Sequence, residues 1–357
     1  MIKKALIIVF VFALFGGCSN KLNLLAPYKE SVSIYALLNQ DDPIHYVRVD
    51  RVFLGATNAY IMAQNQDSAY FGAGELTVTM QRWIKNGPQV SVDIPTPTPS
   101  SSSQIVLTDT LMQADAGIFN QNERVYKTTH PLYSDTNCQY KLIIHNNKTG
   151  KEFTAQTGLV SDFQLISVQN ADNKLEPAYG PNTPVDIVPT DVYGIVTCRY
   201  NSPANAGVCG LTMRLFYTEN SSAHKYVDLG LGTNYPITTY GGETQNFDYL
   251  GKSLLGDISV SIPVNPSVVR TADSIEFILT AGGYDLALYN QVNTSTSLSQ
   301  NKPNYSNVSG GVGIFSSRHQ LSLKRILTPQ CLDTLSGNSL VCKLRFLNSN
   351  NALSNCH

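Results

Sequence analysis

The chain has 357 residues, with 25 Lys+Arg against 26 Asp+Glu and only 14% charged residues. That balance, with no Lys/Arg cluster, excludes a nucleic-acid binder, which needs grouped cations to release phosphate counterions. A charged share well below the about 25% of typical soluble proteins leaves Asn, Ser, Thr, Gln and Tyr to supply much of the surface.

Lys3 and Lys4 precede an apolar run from Ala5 to Phe15, and Gly16-Gly17-Cys18 follows. A helix that short rises about 16 Å and does not cross a hydrocarbon core of about 30 Å. Residues 1–17 therefore read as a secretory signal. The stretch "LFGGC" resembles the bacterial lipobox, with Phe15 where Leu is usual, and the resemblance implies a diacylglyceryl lipid on the Cys18 thiol. The alternative is an ordinary signal peptide beside an incidental cysteine. Residues 18–27 form a tether. No later run reaches eighteen apolar residues, so the lipid is the only membrane contact to be read. Beyond residue 17 the chain carries 23 Lys+Arg against 26 Asp+Glu.

The text then turns to β. "SVSIYALL" (32–39), "HYVRVDRVFL" (45–54), "ELTVTMQRWI" (75–84) and "YKLIIHNN" (140–147) are β-branched and aromatic, several alternating with polar residues. "NNKTGK" (146–151) turns the chain into "EFTAQT" (152–157), a hairpin signal. "DIPTPTPSSSS" (93–103) is an exposed insertion, since proline donates nothing to a ladder and serine buries little. With "QIVLT" (104–108) these strands make an immunoglobulin-like β-sandwich over residues 28–160.

The length favours a second domain, placed at 161–357. Its strands are read at 193–200, 210–219, 225–231, 257–264 and 274–281. A short helix, "YDLALYNQV", is expected at 284–292, after Gly282-Gly283 and with Asp285 in its first turn. The fold class is all-β: two β-sandwich domains, the second with one short helix.

With Cys18 set aside, the implied compartment permits disulfides among six cysteines. Cys198 and Cys209 bracket a loop-like "RYNSPANAGV", and Cys331 and Cys342 bracket "LDTLSGNSLV", so each pair is a disulfide candidate. Buried free thiols are the alternative. No metal site is expected, because neither gap carries CxxC and His45, His130, His145, His224 and His319 are scattered. No cofactor motif is present either.

"YSNVSGGVGIFSSRHQ" (305–320) is the most specific later text. Gly310, Gly311 and Gly313 permit positive φ or close backbone approach, while Val312, Ile314 and Phe315 supply apolar weight. Without GK[ST] or a following helix this is no phosphate cradle, and it reads as a bulged strand packed closely on the domain body. "YDLALYNQ" followed by "NVSGGVGIF", together with "RLFYTE", "YLGKSLL" and "SIEFILTAGG", resembles a group of Bacteroidota lipoproteins classed as domains of unknown function. The resemblance implies an accessory of an outer-membrane transporter and carries over no catalytic residue. Ser19 after Cys18 favours the outer membrane. The absence of an acid before Glu30 leaves the facing side open.

Two functions compete. One is a non-catalytic, lipid-anchored binding or scaffold protein with an outer-membrane protein partner; whether it takes a glycan or other small molecule stays unknown. The other is an envelope glycan hydrolase drawing two carboxylates from Asp228, Glu243, Asp248 and Asp257, which would stand ~5 to 10 Å apart. The triplets at 67–69, 109–111, 273–275 and 333–335 resemble an Asp-Ser/Thr-apolar O-glycosylation signal.

Overall fold

A computed structural model of the chain describes residues 30–52, 70–90, 104–112, 123–169, 173–174, 180–188, 193–294 and 305–356. The signal, Cys18, the tether, the whole Pro/Ser insertion at 93–103 and the triplet at 67–69 lie outside them. The architecture is an all-β sandwich fold, with three sheets and three α-helices among the described residues.

Strands β1 (Ser31–Leu38), β2 (His45–Val52), β3 (Leu76–Ile84), β4 (Gln89–Val90), β5 (Ile105–Val106), β6 (Thr108–Met112), β7 (Glu123–Thr128), β8 (Cys138–Asn146) and β9 (Glu152–Thr157) build the first half. β8 alternates strictly: Cys138, Tyr140, Leu142, Ile144 and Asn146 are buried, and the residues between them face out. That period of two places one face on a core and leaves the other wet. β3, β8 and β9 pair antiparallel, β8 in the middle, and face β1, β2 and β7 across Val32, Ile34, Val47, Leu142, Ile144 and Phe153.

The second half runs through β10 (Gln164–Gln169), β11 (Asn173–Lys174), β12 (Pro184–Val185), β13 (Ile195–Asn201), β14 (Ala206–Glu219), β15 (Ala223–Asn234), β16 (Thr244–Leu250) and helix α1 (Gly251–Ser261). It continues with β17 (Arg270–Gly283), helix α2 (Tyr284–Thr294), β18 (Val308–Ser309), β19 (Val312–Leu327) and helix α3 (Pro329–Gly337). β10, β11, β13 and β16 form a small sheet opposite β14 and β17, and Val196, Tyr200, Met213, Leu215, Phe247 and Phe277 fill the space between.

β19 ties the halves together. At 16 residues it extends about 50 Å. Its first part pairs in parallel with β1, from Ser33 opposite Val312 to Leu38 opposite Ser317. Its later part pairs antiparallel with β17, from Gly282 opposite Arg318 to Ile275 opposite Arg325. One nine-stranded sheet, β15-β14-β17-β19-β1-β2-β7-β6 with β12 beside β19, therefore backs both cores. β18 pairs with β9, and Val308 and Phe315 enter the first core. Full burial of a side chain such as Phe315 (0% exposed) contributes about 1.5 to 3 kcal/mol.

The helix expected at 284–292 is α2, two residues longer. The strand read at 257–264 is corrected: residues up to Ser261 belong to α1. Ile258, Val260 and Ile262 mimic strand alternation, yet Ile258 (0% exposed) and Ile262 (1%) are buried and Val260 is 88% exposed. Residues four apart share a helix face and residues two apart do not. α3, which is not among the elements expected from the sequence, opens with Pro329 as its first residue, and the Thr328 side chain accepts from the Cys331 N–H at 3.2 Å, the N-cap arrangement.

Candidate functional site

The glycine segment is a weld between the halves. Gly313 has φ +109°, and a Cβ there would lie 2.0 Å from the Ile34 carbonyl oxygen. A Cβ on Gly311 would lie 2.6 Å from the Val32 carbonyl oxygen. Only glycine lets β19 approach β1 that closely at these positions. Gly310 has φ +80°, with the Phe153 ring against it. Asn307 clamps the turn: its Nδ2 donates to the Phe315 carbonyl at 2.7 Å and its Oδ1 accepts from the Phe315 N–H at 3.0 Å. The strand is packed as closely as the sequence suggests, but the body it meets belongs to the first core.

The cysteine pairings are corrected. Cys342 is bonded to Cys356, while Cys138, Cys198, Cys209 and Cys331 are free and buried. Cys198 lies on β13 and Cys209 on β14, in different sheets; facing sheets stand about 10 Å apart, and a disulfide needs Cα atoms within about 7 Å. Burial pushes both thiols up to about 12. Cys331 sits in α3 with its sulfur 3.1 Å from the Ile187 N–H nitrogen and 3.8 Å from the Val185 carbonyl of β12.

The four acids of the hydrolase reading are held separately. Asp228 accepts two bonds from Arg214, at 2.6 and 2.8 Å, and this contact lowers its pKa. Glu243 accepts the Ile237 and Thr238 N–H groups at 3.0 and 2.8 Å, and these hold its carboxyl below the usual range. Asp248 accepts from the Thr197 hydroxyl at 2.7 Å, and Asp257 lies on α1. An acid catalyst of that class requires a raised pKa, and Asp228 and Glu243 are moved the other way. Of the glycosylation triplets, Ser274 is buried in β17, Thr110 lies on β6 and Thr334 on α3.

Of the histidines, His319 has acidic neighbours from distant parts of the chain. His319, 6% exposed on β19, places Nδ1 3.0 Å from Asp41 Oδ2 and Nε2 3.5 Å from Asp162 Oδ1. The Asp41 contact has an ion-pair distance without hydrogen-bond alignment, since Nδ1 has no hydrogen-bond partner. Phe163 lies against the ring at 6.0 Å. Asp41 and Asp42 stand in the β1–β2 turn, which Asn39 organises: its Nδ2 donates to Asp42 Oδ1 at 2.9 Å, and its carbonyl accepts the Asp42 N–H at 3.2 Å. Gln40 donates to Asp162, and Arg318 reaches Asp42 at 3.4 Å. The turn is thereby fastened to the linker between the two cores and to β19.

Two cavities meet at this seam. One, of about 320 Å³, lies over β1 and β2 among Tyr35, Tyr46, Arg48 and Arg318. The other, of about 290 Å³, lies over β17 and β19 among Asn39, Asp41, Thr280, His319 and Gln320. Asp42 and Arg318 line both, so the two cavities adjoin; the pair is called the seam groove, with an aromatic end and a polar end. Arg48 is already neutralised by Asp50 at 2.7 Å and Glu123 at 2.9 Å. Desolvation opposes its charge, yet the two carboxylates outweigh that and raise its pKa. Sequence reasoning missed this groove. Its one local signal is "NQDDP", a run of polar turn residues between two strong strands, which says nothing of β19 folding back beside β1.

No protein-family model and no curated protein matches the chain. Among solved structures, a chain described as "Cytokine receptor complex - Crystal form 1A" aligns over 70% of this chain and 84% of its own length, at 10% identity and a TM-score of 0.20. A superposition that loose carries no argument about function.

Proposed function

We propose that this chain is a lipid-anchored binding protein of the outer membrane, attached through Cys18 and serving as accessory to an outer-membrane β-barrel transporter. The observation that carries the binding reading is the seam groove. Its walls come from β1, β2, β7, β17 and β19 of a single sheet and from the β1–β2 turn that is fastened to them, and groups held on such a scaffold are positioned for recognition. Arg48 is committed to Asp50 and Glu123, while the more exposed Arg318 reaches Asp42 at 3.4 Å and offers donors to a ligand. A lipid tether would confine the protein to two dimensions and raise its effective concentration near other membrane residents. The anchor and the barrel partner rest on the sequence alone.

The test is recovery of the tagged native protein from gently solubilised membranes. An integral β-barrel should accompany it in near-fixed ratio, and Cys18→Ser should lose labelling by a fatty-acid probe. A clean monomer, together with glycan turnover that disappears in Asp228→Asn or Asp248→Asn, would replace this reading with the hydrolase.

A further inference from the structure

We infer that the seam groove is a binding site for a neutral glycan. The inference rests on the binding reading above and adds the class of ligand. Tyr35 is 52% exposed and Tyr46 39% exposed, both on the groove wall. Tyr35 pairs with Arg48 across β1 and β2, and Tyr46 lies two residues before Arg48 on the same face. The two rings are thus diagonal cross-strand neighbours, a relation that sets such positions about 7 to 8 Å apart. Two exposed phenol rings at that spacing on one sheet face offer a stacking platform to the C–H faces of consecutive sugar rings.

The polar end supplies what hydroxyl groups need. Asn39, Asp42, Arg318 and Gln320 carry planar amide, carboxylate and guanidinium groups with several donors or acceptors each. An anionic ligand is disfavoured, because Asp41, Asp42 and Asp162 outnumber the single exposed cation Arg318 at the seam and Arg48 is doubly neutralised. A purely apolar ligand would leave these polar groups desolvated without partners, at a cost for each. An uncharged, polyhydroxylated chain meets both ends of the groove.

Native affinity gels test this with the full chain in mild detergent, using an α-glucan, a β-glucan, a xylan and a mannan as probes and polygalacturonate as the anionic control. At least one neutral polymer should retard the protein. Tyr35→Ala and Tyr46→Ala, which truncate exposed rings, should each weaken retardation about tenfold, the scale of losing an aromatic anchor. Tyr240→Ala, which removes a ring exposed elsewhere (83%), should leave it unchanged. Unaltered thermal melts of the variants separate loss of binding from loss of fold. Retardation that survives both groove variants, retardation by polygalacturonate alone, or none on any neutral gel overturns the glycan site. In the last case a barrel recovered from membranes would leave the broader binding reading standing, so the two failures are distinct.

Discussion

The two ends of the long strand β19 are fixed by opposite means. Where it begins, β19 lies against β1 with no side chain between the backbones, and Gly311 and Gly313 make the contact possible. Beyond its other end, the second core is closed by charge and by a cross-link. Arg270, 1% exposed, donates to Glu219 at 3.0 Å, to the Leu344 carbonyl at 2.6 Å and to the Pro263 carbonyl at 2.9 Å. Its own backbone N–H and carbonyl engage Arg345 and Leu347, and Cys342 is bonded to Cys356. The seam tolerates no added atom. The far end consists of separable fastenings, each removable at a finite cost.

That contrast orders the expected effects. Gly313→Ala should be the most damaging single-methyl change in the chain, because it combines a positive φ with a Cβ 2.0 Å from a carbonyl oxygen. A loss of more than about 4 kcal/mol is expected, read as a collapse of the urea midpoint or as insoluble expression. A midpoint within experimental error of the parent would mean that the parallel pairing is not a fixed feature.

Arg270→Met comes next. Removing one partner from a buried pair costs about 3 to 5 kcal/mol, and the lower end is expected, since Glu219 keeps Lys225 at 2.6 Å. The Lys225 contact, with the Arg270 bonds, holds the Glu219 carboxyl below its usual range. Glu219→Gln in the same background should therefore restore little. Equilibrium unfolding of the two single variants and the double variant measures this.

Opening the disulfide should cost less. Cys342 and Cys356 are 14 residues apart, and closing a loop of that size contributes about 3 kcal/mol in the chain-entropy model. Reductant should lower the melting temperature of the parent and not that of Cys342→Ser/Cys356→Ser. Cys198 and Cys209, buried with raised pKa, should resist alkylation until the chain unfolds. A non-reduced digest that joins Cys198 to Cys209 would contradict the fold directly.

The smallest effect is a pH dependence beside the seam. His45, 3% exposed at the start of β2, has its pKa lowered by burial, although Asp42 nearby raises it; the charge of His130 acts with burial, while the His130 backbone hydrogen bond opposes it. The unfolded chain then takes up this proton first as pH falls. Stability from His45 is complete above its ordinary value of about 6.5 and declines below that, toward the depressed folded value. Melting temperatures between pH 7 and pH 5 should fall more steeply for the parent than for His45→Gln. Equal slopes would assign the acid sensitivity elsewhere.

Much of the β content was legible because it is local. Alternation in "ELTVTMQ" and "YKLIIHNN" and the turn "NNKTGK" specify strands and a hairpin through side-chain period and turn chemistry alone, and α2 announced itself by a double glycine followed by an acid. The same local reasoning misread α1, because Ile258, Val260 and Ile262 satisfy a strand pattern and only burial of the 258/262 face decides for helix. The sequence by itself marked 310, 311 and 313 as positions where glycine permits positive φ or close approach, and Val312, Ile314 and Phe315 as apolar weight, of which Ile314 and Phe315 are buried and Val312 is 44% exposed. It held no information about which backbone those glycines would meet. Only the tertiary structure decided that β19 returns to β1, that Cys342 finds Cys356 rather than Cys331, and that Tyr35, Asp42, Arg318 and His319 converge on one groove. These residues lie up to 284 positions apart in the chain, and contacts at such separation leave no period or spacing to read, because they arise from which sheet faces and edges are left to be covered once the local elements have formed.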